Sequence, residues 1–132
     1  MALPQAGVGL SCLRLVRNAS FAADVTDAAI LTVPFKCRIV TMMGFMEAIG
    51  GTTDFTDVDL EVQNGTTVIN TTAIAIVQAS AIVTGSGAVG SPDTDALAAL
   101  AENDVLHLDI DITGGSSPTG VGCGVDIWVA RE

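Results

Sequence analysis

Alternation of apolar and polar residues is the dominant signal along this chain. In DVDLEV, Val58, Leu60 and Val62 alternate with Asp57, Asp59 and Glu61; in DVLHLDIDITGG, Leu106, Leu108, Ile110 and Ile112 alternate with His107, Asp109 and Asp111. A period of two puts the two sets on opposite sides of a pleated strand, so each segment reads as a strand with one buried and one wet face. The closing GVDIWVAR repeats the pattern, with Val125, Ile127 and Val129 on one side and Asp126 and Trp128 on the other. SCLRLVR, DAAILTV and FKCRIVTMMGFME are dense in β-branched and apolar residues and are separated by NAS, ADVTD and Pro34, which marks three more strands.

Asn64-Gly65 is the dipeptide preferred in a type I′ hairpin, where both central residues take positive φ, and it predicts a return strand over residues 66–70. The apolar run over residues 74–83 makes one long strand or two short ones. About eight strands joined by short turns is antiparallel logic. Only PDTDALAALAEN has helical features: Ser91 to cap, Pro92 for the first position, and Asp93 and Asp95 for the positive end. Whether residues 92–103 are helical stays open, since the same segment suits an irregular strand approach. The expectation is an all-β, antiparallel β-sandwich, a jelly roll, as one domain over residues 11–132. Residues 1–10 read as an extended arm whose Leu3, Val8 and Leu10 are costly to leave in water.

The stretch TGSGAVGSP offers a competing enzyme reading. Gly85, Gly87 and Gly90 spell G-x-G-x-x-G after an apolar run, with Asp109 and Asp111 about twenty residues on. Pro92, Asp93 and Asp95, however, stand where a helix N-terminus should present bare N–H groups to a pyrophosphate. The segment is therefore expected to be a flexible turn between strands, with no nucleotide cofactor. No enzymatic activity is expected.

Charge narrows the partners. Fifteen acidic residues face five basic ones, for a formal charge of −10, which repels nucleic acid and anionic membranes. The cations are Arg14, Arg17, Lys36, Arg38 and Arg131, so the charge is polarised along the chain and predicts one basic edge on an acidic body. The opening MALPQAGVGL has no basic n-region, and nothing in the sequence is long and apolar enough for a spanning helix.

Other candidate chemistry is sparse. Cys12, Cys37 and Cys123 are odd in number and far apart, which reads as three small core residues rather than a disulfide framework. His107 shares a strand face with Asp109 and Asp111, but a zinc site needs three or four convergent ligands. The run Asp54, Asp57, Asp59 and Glu61 is acidic enough for a hard cation yet lacks the glycine and spacing of an EF-hand loop. A solvated strand face is the default for these carboxylates, ion binding stays open, and no metal is assigned. Trp128, among small and acidic neighbours, is a candidate interface anchor.

The strand series VPFKCRIVTMMGF and DVDLEVQNGTTVINTT, then ALAALAENDVLHLDIDITGG and GVDIWVAR, resembles the capsid decoration or cement proteins and related head fibres of tailed bacteriophages, over residues 28–131. The likeness is one of layout and turn composition. It implies a structural jelly roll made in the host cytoplasm, forming a homotrimer on the outer capsid surface and holding major capsid protein subunits together without turnover. On that reading Leu3, Pro4, Val8 and Leu10 of the arm, electrostatic partners Arg14, Arg17, Lys36 and Arg38, and Trp128 are the candidate contacts with the coat or between subunits. A tail or fibre module and a small carbohydrate-binding sandwich remain alternatives.

Overall fold

The computed structural model describes residues 9–50, 57–77, 86–113 and 119–132. The strands are β1 (Leu10–Arg17), β2 (Val25–Thr32), β3 (Cys37–Gly50), β4 (Asp57–Asn64), β5 (Thr67–Val68) and β6 (Ile74–Val77). Then come β7 (Ser86–Gly90), a single helical turn α1 (Asp95–Ala98), β8 (Ala99–Leu100), β9 (Val105–Thr113) and β10 (Thr119–Arg131).

They form two antiparallel sheets. The β1 sheet runs β1-β10-β3, with β7 and β8 both on the far edge of β3; the β2 sheet runs β2-β9-β4, with β5 and β6 both on the far edge of β4. Each pair of short strands fills one strand position, so ten strands occupy eight places. From β1 to β4 the chain changes sheet at every step, and β9 and β10 return to the centres of opposite sheets. This is the order of a jelly roll, an all-β sandwich built of two Greek keys.

The core lies where alternation puts it. Val58, Leu60 and Val62 of β4, Leu106, Leu108 and Ile110 of β9, and Val125, Ile127 and Val129 of β10 are all buried. The β4 and β9 residues meet the β10 residues and Leu13, Leu15, Ile39, Met42 and Met46, all from the opposing β1 sheet. On β3 the inward rhythm slips by one between Ile39 and Met42, because a bulge sets Trp128 opposite Thr41 but Val129 opposite Ile39. Val40 is thereby turned out, and Met43 is exposed while Met42 and Met46 are core.

Several local expectations change. Asn64 is the last rung of its hairpin, paired with Thr67, and the turn residues are Gly65 and Thr66. Gly65 has φ +62° and Thr66 is not among the positive-φ residues, so the turn has the type II′ signature of a leading glycine rather than type I′. Asn64 is kept in the strand by its side chain, which donates to Asp104 Oδ2 at 2.9 Å. The return strand is correspondingly short, Thr67–Val68.

The GSGAVG segment is no flexible turn within its described part: Ser86–Gly90 is strand β7, paired with Met42 to Met46 of β3. Gly90 is required by packing, since a Cβ there would lie 2.7 Å from Cγ1 of Ile74. Gly85 lies outside the described residues. Asp93, one of the residues that spoke against a phosphate site, accepts from Thr71 N at 2.6 Å and so ties the loop after β7 to the β5–β6 connection. Helix α1 is capped by Thr94, whose hydroxyl accepts from Leu97 N at 3.2 Å, rather than by Ser91.

Asn70 performs a repair. Between β5 and β6 the far edge of β4 loses its strand partner, and the buried Asn70 side chain accepts from Val62 N at 2.7 Å and donates to Leu60 O at 3.0 Å. The side-chain amide stands in for a backbone rung.

Candidate functional site

The two outer faces of the sandwich differ in chemistry. On the β2 sheet, Asp59 stands directly opposite Asp111 and Glu61 directly opposite Asp109. Like charges in register are unfavourable, and long sheets usually avoid them. These four residues, with Asp24, line an open depression of about 290 Å³. Asp24 Oδ1 accepts from Ile112 N at 2.8 Å. Gln63 Nε2 donates to Glu61 Oε1 and Asp109 Oδ2, both at 3.0 Å.

A bulge in β2 completes this network. Three residues between Val25 and Ala29 oppose the single Asp109, and Asp27 takes φ +53°, a left-handed conformation that aspartate tolerates better than most residues. Its N–H donates to Asp109 Oδ1 at 2.9 Å, and its carboxylate lies 3.1 Å from His107 Nδ1. His107, Asp109 and Asp111 therefore share a face as alternation predicted, but neighbours divide them: His107 turns to Asp27 and Asp109 to the Asp27 backbone and Gln63. Among the described residues no cluster of three or more His, Cys, Asp or Glu has metal-binding geometry. Asp54 lies outside the described residues.

Desolvation, then the hydrogen bond and charge of Asp24 and the charges of Asp59 and Glu61, push the Asp111 carboxyl above the ordinary aspartate range. A raised folded-state pKa contributes stability below the unfolded value, and that contribution is lost as pH rises through the folded value. Asp111→Asn is accordingly expected to raise the thermal midpoint at about pH 7 and leave it unchanged near pH 3, where the wild-type carboxyl is already neutral. Equal effects at both pH values in a thermal melt would show that repulsion is not the cause.

The β1 sheet faces outward with a different surface. Among the described residues, seven large apolar side chains are exposed, and Leu10, Val40, Met43, Val89 and Trp128 all belong to this sheet; Ile30 and Val105 are on the other. In register, Cys12, Trp128 and Thr41 form one cross-strand row, and Arg14, Asp126, Met43 and Val89 the next. Arg14 makes a bidentate pair with Asp126 at 2.6 and 2.8 Å and lies over the Phe45 ring at 5.0 Å. Trp128 is thus exposed as expected of an anchor, at 38%.

All the cations lie on the strands of this sheet or next to them. Arg14 and Arg17 are on β1, Arg38 on β3, Arg131 on β10, and Lys36 just before β3, whereas the strands of the β2 sheet contain no Lys or Arg. Tertiary pairing brings Arg131 to the same end as Lys36, Arg38 and the start of β1. Arg131 pairs with Cys37, Arg131 N donates to Gly9 O, and Glu132 N donates to Lys36 O. The basic edge read from the sequence is in fact mixed: Arg38 donates to the Asp95 carbonyl, Arg131 stacks on Phe35 at 4.2 Å, and Asp95 and Glu132 stand among the cations. Arg17 is at the opposite end of β1, where it donates to Ser20 O. Leu3, Pro4 and Val8 lie outside the described residues, while Leu10 is exposed at the start of β1. Arg131 was not among the contact candidates, because only the β10–β3 register reveals its neighbours.

The cysteines divide. Cys37 and Cys123 are core residues, but Cys12 is exposed on the apolar face, contrary to the expectation of three buried thiols. Burial pushes the Cys123 thiol up to about 12. Burial also raises Cys12, helped by Asp126, and Cys37, helped by Glu132 and Asp104. Compared with known proteins, the chain matches no family model and no curated protein.

Proposed function

We propose that this chain is a structural protein of a bacteriophage virion, a decoration or cement module that sits as a homotrimer on the outer surface of the capsid and ties neighbouring major capsid protein subunits together. The observation that carries the reading is the segregation of its two sheets: most of the exposed apolar side chains on the β1 sheet, with every cation on or next to its strands, and opposed carboxylates on the β2 sheet.

An adhesive module needs one surface that leaves water on assembly and another that stays wet. The acidic face suits the solvent side of a shell and repels the packaged nucleic acid within it. The described chain begins at the end of the sandwich that carries Lys36, Arg38 and Arg131, and Leu10 with these cations makes one foot against the coat. Three such feet on one trimer bind far more tightly than one, because the second and third contacts form at high effective concentration.

The test is addition of the purified protein to undecorated shells, with occupancy measured by sedimentation and gel densitometry. The full chain is expected to saturate the shells, and removal of residues 1–10 to lower apparent affinity by tenfold or more, about 1.4 kcal/mol summed over the feet of one trimer. Bare shells after incubation with the full chain would sink the function; undiminished occupancy by the shortened chain would sink the role of the arm.

A further inference from the structure

We propose that the outer face of the β1 sheet is covered by further copies of this same chain, in a closed ring that turns the β1 sheets inward and the acidic β2 sheets toward solvent. This deepens the assembly half of the reading above by naming the contact surface.

Area is the first argument. Four strand positions at about 4.8 Å and eight residues at about 3.3 Å span roughly 19 by 26 Å. That is about 500 Å² in projection, and the relief of the side chains brings the accessible area toward the ~800 Å² each partner gives to a stable interface. Leu10, Val40, Met43, Val89 and Trp128 are spread from one edge strand to the other, and Val89 on β7 is 71% exposed. An apolar surface of this extent costs free energy in water until something covers it.

Charge selects the occupant. A chain of formal charge −10 can meet its own copies only if their carboxylate-rich faces stay apart. Turning the β1 sheets inward separates the acidic faces by two sandwich thicknesses, on the order of 20 Å and well beyond the ~8 Å screening length at physiological salt. On the inward face itself, Arg14 is already matched by Asp126, so burial places a hydrogen-bonded neutral pair in the contact rather than a lone charge. A strongly charged partner of another kind would find no opposite net charge at the centre of this face. A second copy brings the same balanced pair and the same apolar surface.

The single tryptophan is a built-in reporter, because Trp128 lies in the patch. In solution, without shells, the wild type at about 10 µM is expected to sediment as a closed oligomer, with Trp128 emission blue-shifted and protected from acrylamide. Val89→Glu, and independently Val40→Lys, are expected to give monomers with a red-shifted, quenchable Trp128. Both sites are largely exposed, so far-UV circular dichroism should be unchanged. Ile30→Glu, at a site 59% exposed on the other sheet, is the control and should assemble normally. A monomeric wild type, patch variants that stay assembled with Trp128 shielded, or equal disruption by Ile30→Glu would each overturn the proposal. A chain that assembles but leaves shells bare defeats coat binding alone; one that decorates shells as a monomer defeats self-assembly, here and in the reading above, and leaves coat binding standing.

Discussion

Gly124→Ala is expected to cost about 3 kcal/mol or more, a large share of the 5–15 kcal/mol that holds a domain of this size together. Gly124 sits in β10 beside Val16 of β1 and Phe45 of β3. A Cβ there would run into the backbone carbonyl of Leu15 and lie 2.9 Å from both Val16 Cα and Phe45 Cζ. Two of the three obstacles are backbone of a neighbouring strand, so relief requires parting β1 from β10 rather than turning a rotamer. The Phe45 ring, with Arg14 over it, rests on the space that the missing side chain leaves. Urea denaturation should show a midpoint lower by about 2 M for a typical slope at this size. Gly65→Ala is the matched control: nothing lies within 4 Å of its Cβ position, and only its φ of +62° opposes substitution, at a cost of roughly 1–2 kcal/mol. A Gly124→Ala midpoint no lower than that of Gly65→Ala would mean that the β1–β10 spacing is not what requires glycine.

Asn70→Ala is expected to lose about 3 kcal/mol by another route. The residue is 1% exposed, and its amide serves Val62 N and Leu60 O on β4, in the gap between the Gln63 rung to β5 and the Leu60 rung to β6. Truncation leaves a buried donor and a buried acceptor unpaired, each costing about 1–3 kcal/mol. Asn70→Asp sharpens the test, because an ionised carboxylate can still accept from Val62 N but faces the Leu60 carbonyl with no proton to donate. Burial and that carbonyl raise the carboxyl's folded-state pKa, so the variant is most stable when protonated and loses stability as pH rises above the unfolded value near 4. Urea midpoints at about pH 3.5 and about pH 7 should therefore differ more for Asn70→Asp than for Asn70→Ala. Identical pH dependence in the two variants would rule out the bridging role.

These two positions also mark how far the chain could be read before folding. Asn70 is legible in the sequence only as the end of the return strand, since nothing local says that its amide would be buried against β4. Gly124 was the unremarkable first residue of GVDIWVAR, and its necessity comes from the approach of β1. The glycines of GSGAVG are the strongest motif in the sequence and the most misleading. Their spacing matched a phosphate loop, their flanking acids argued for a turn, and the backbone of Ser86–Gly90 pairs with β3 as an edge strand. With only Ala88 and Val89 as apolar side chains, β7 carries no alternation to read.

The functional surface divides in the same way. Exposure of Trp128 and the wet, acidic sides of β4 and β9 follow from period two, which assigns each residue a side once a strand is granted. That Leu10, Val40, Met43 and Val89 join Trp128 on one face does not follow, because β1, β3, β7 and β10 are distant in sequence and the β3 bulge reverses the parity of Val40. Cys12 was placed inside by residue type, whereas the β1–β10 register puts it beside Trp128 at the surface.

Sequence alone determined the class: alternating apolar residues and short turns leave few options but an antiparallel sandwich, since each strand must bury one face against another layer. The tertiary structure decided which strands became neighbours. That choice put every cation with the apolar sheet, set Asp59 against Asp111 and Glu61 against Asp109, and mixed the supposed basic edge with Asp95 and Glu132. Side-chain direction is a local property with a period of two residues, whereas register and strand order join residues more than a hundred positions apart, as in Arg14 and Asp126, 112 apart, and are settled only when the whole core closes.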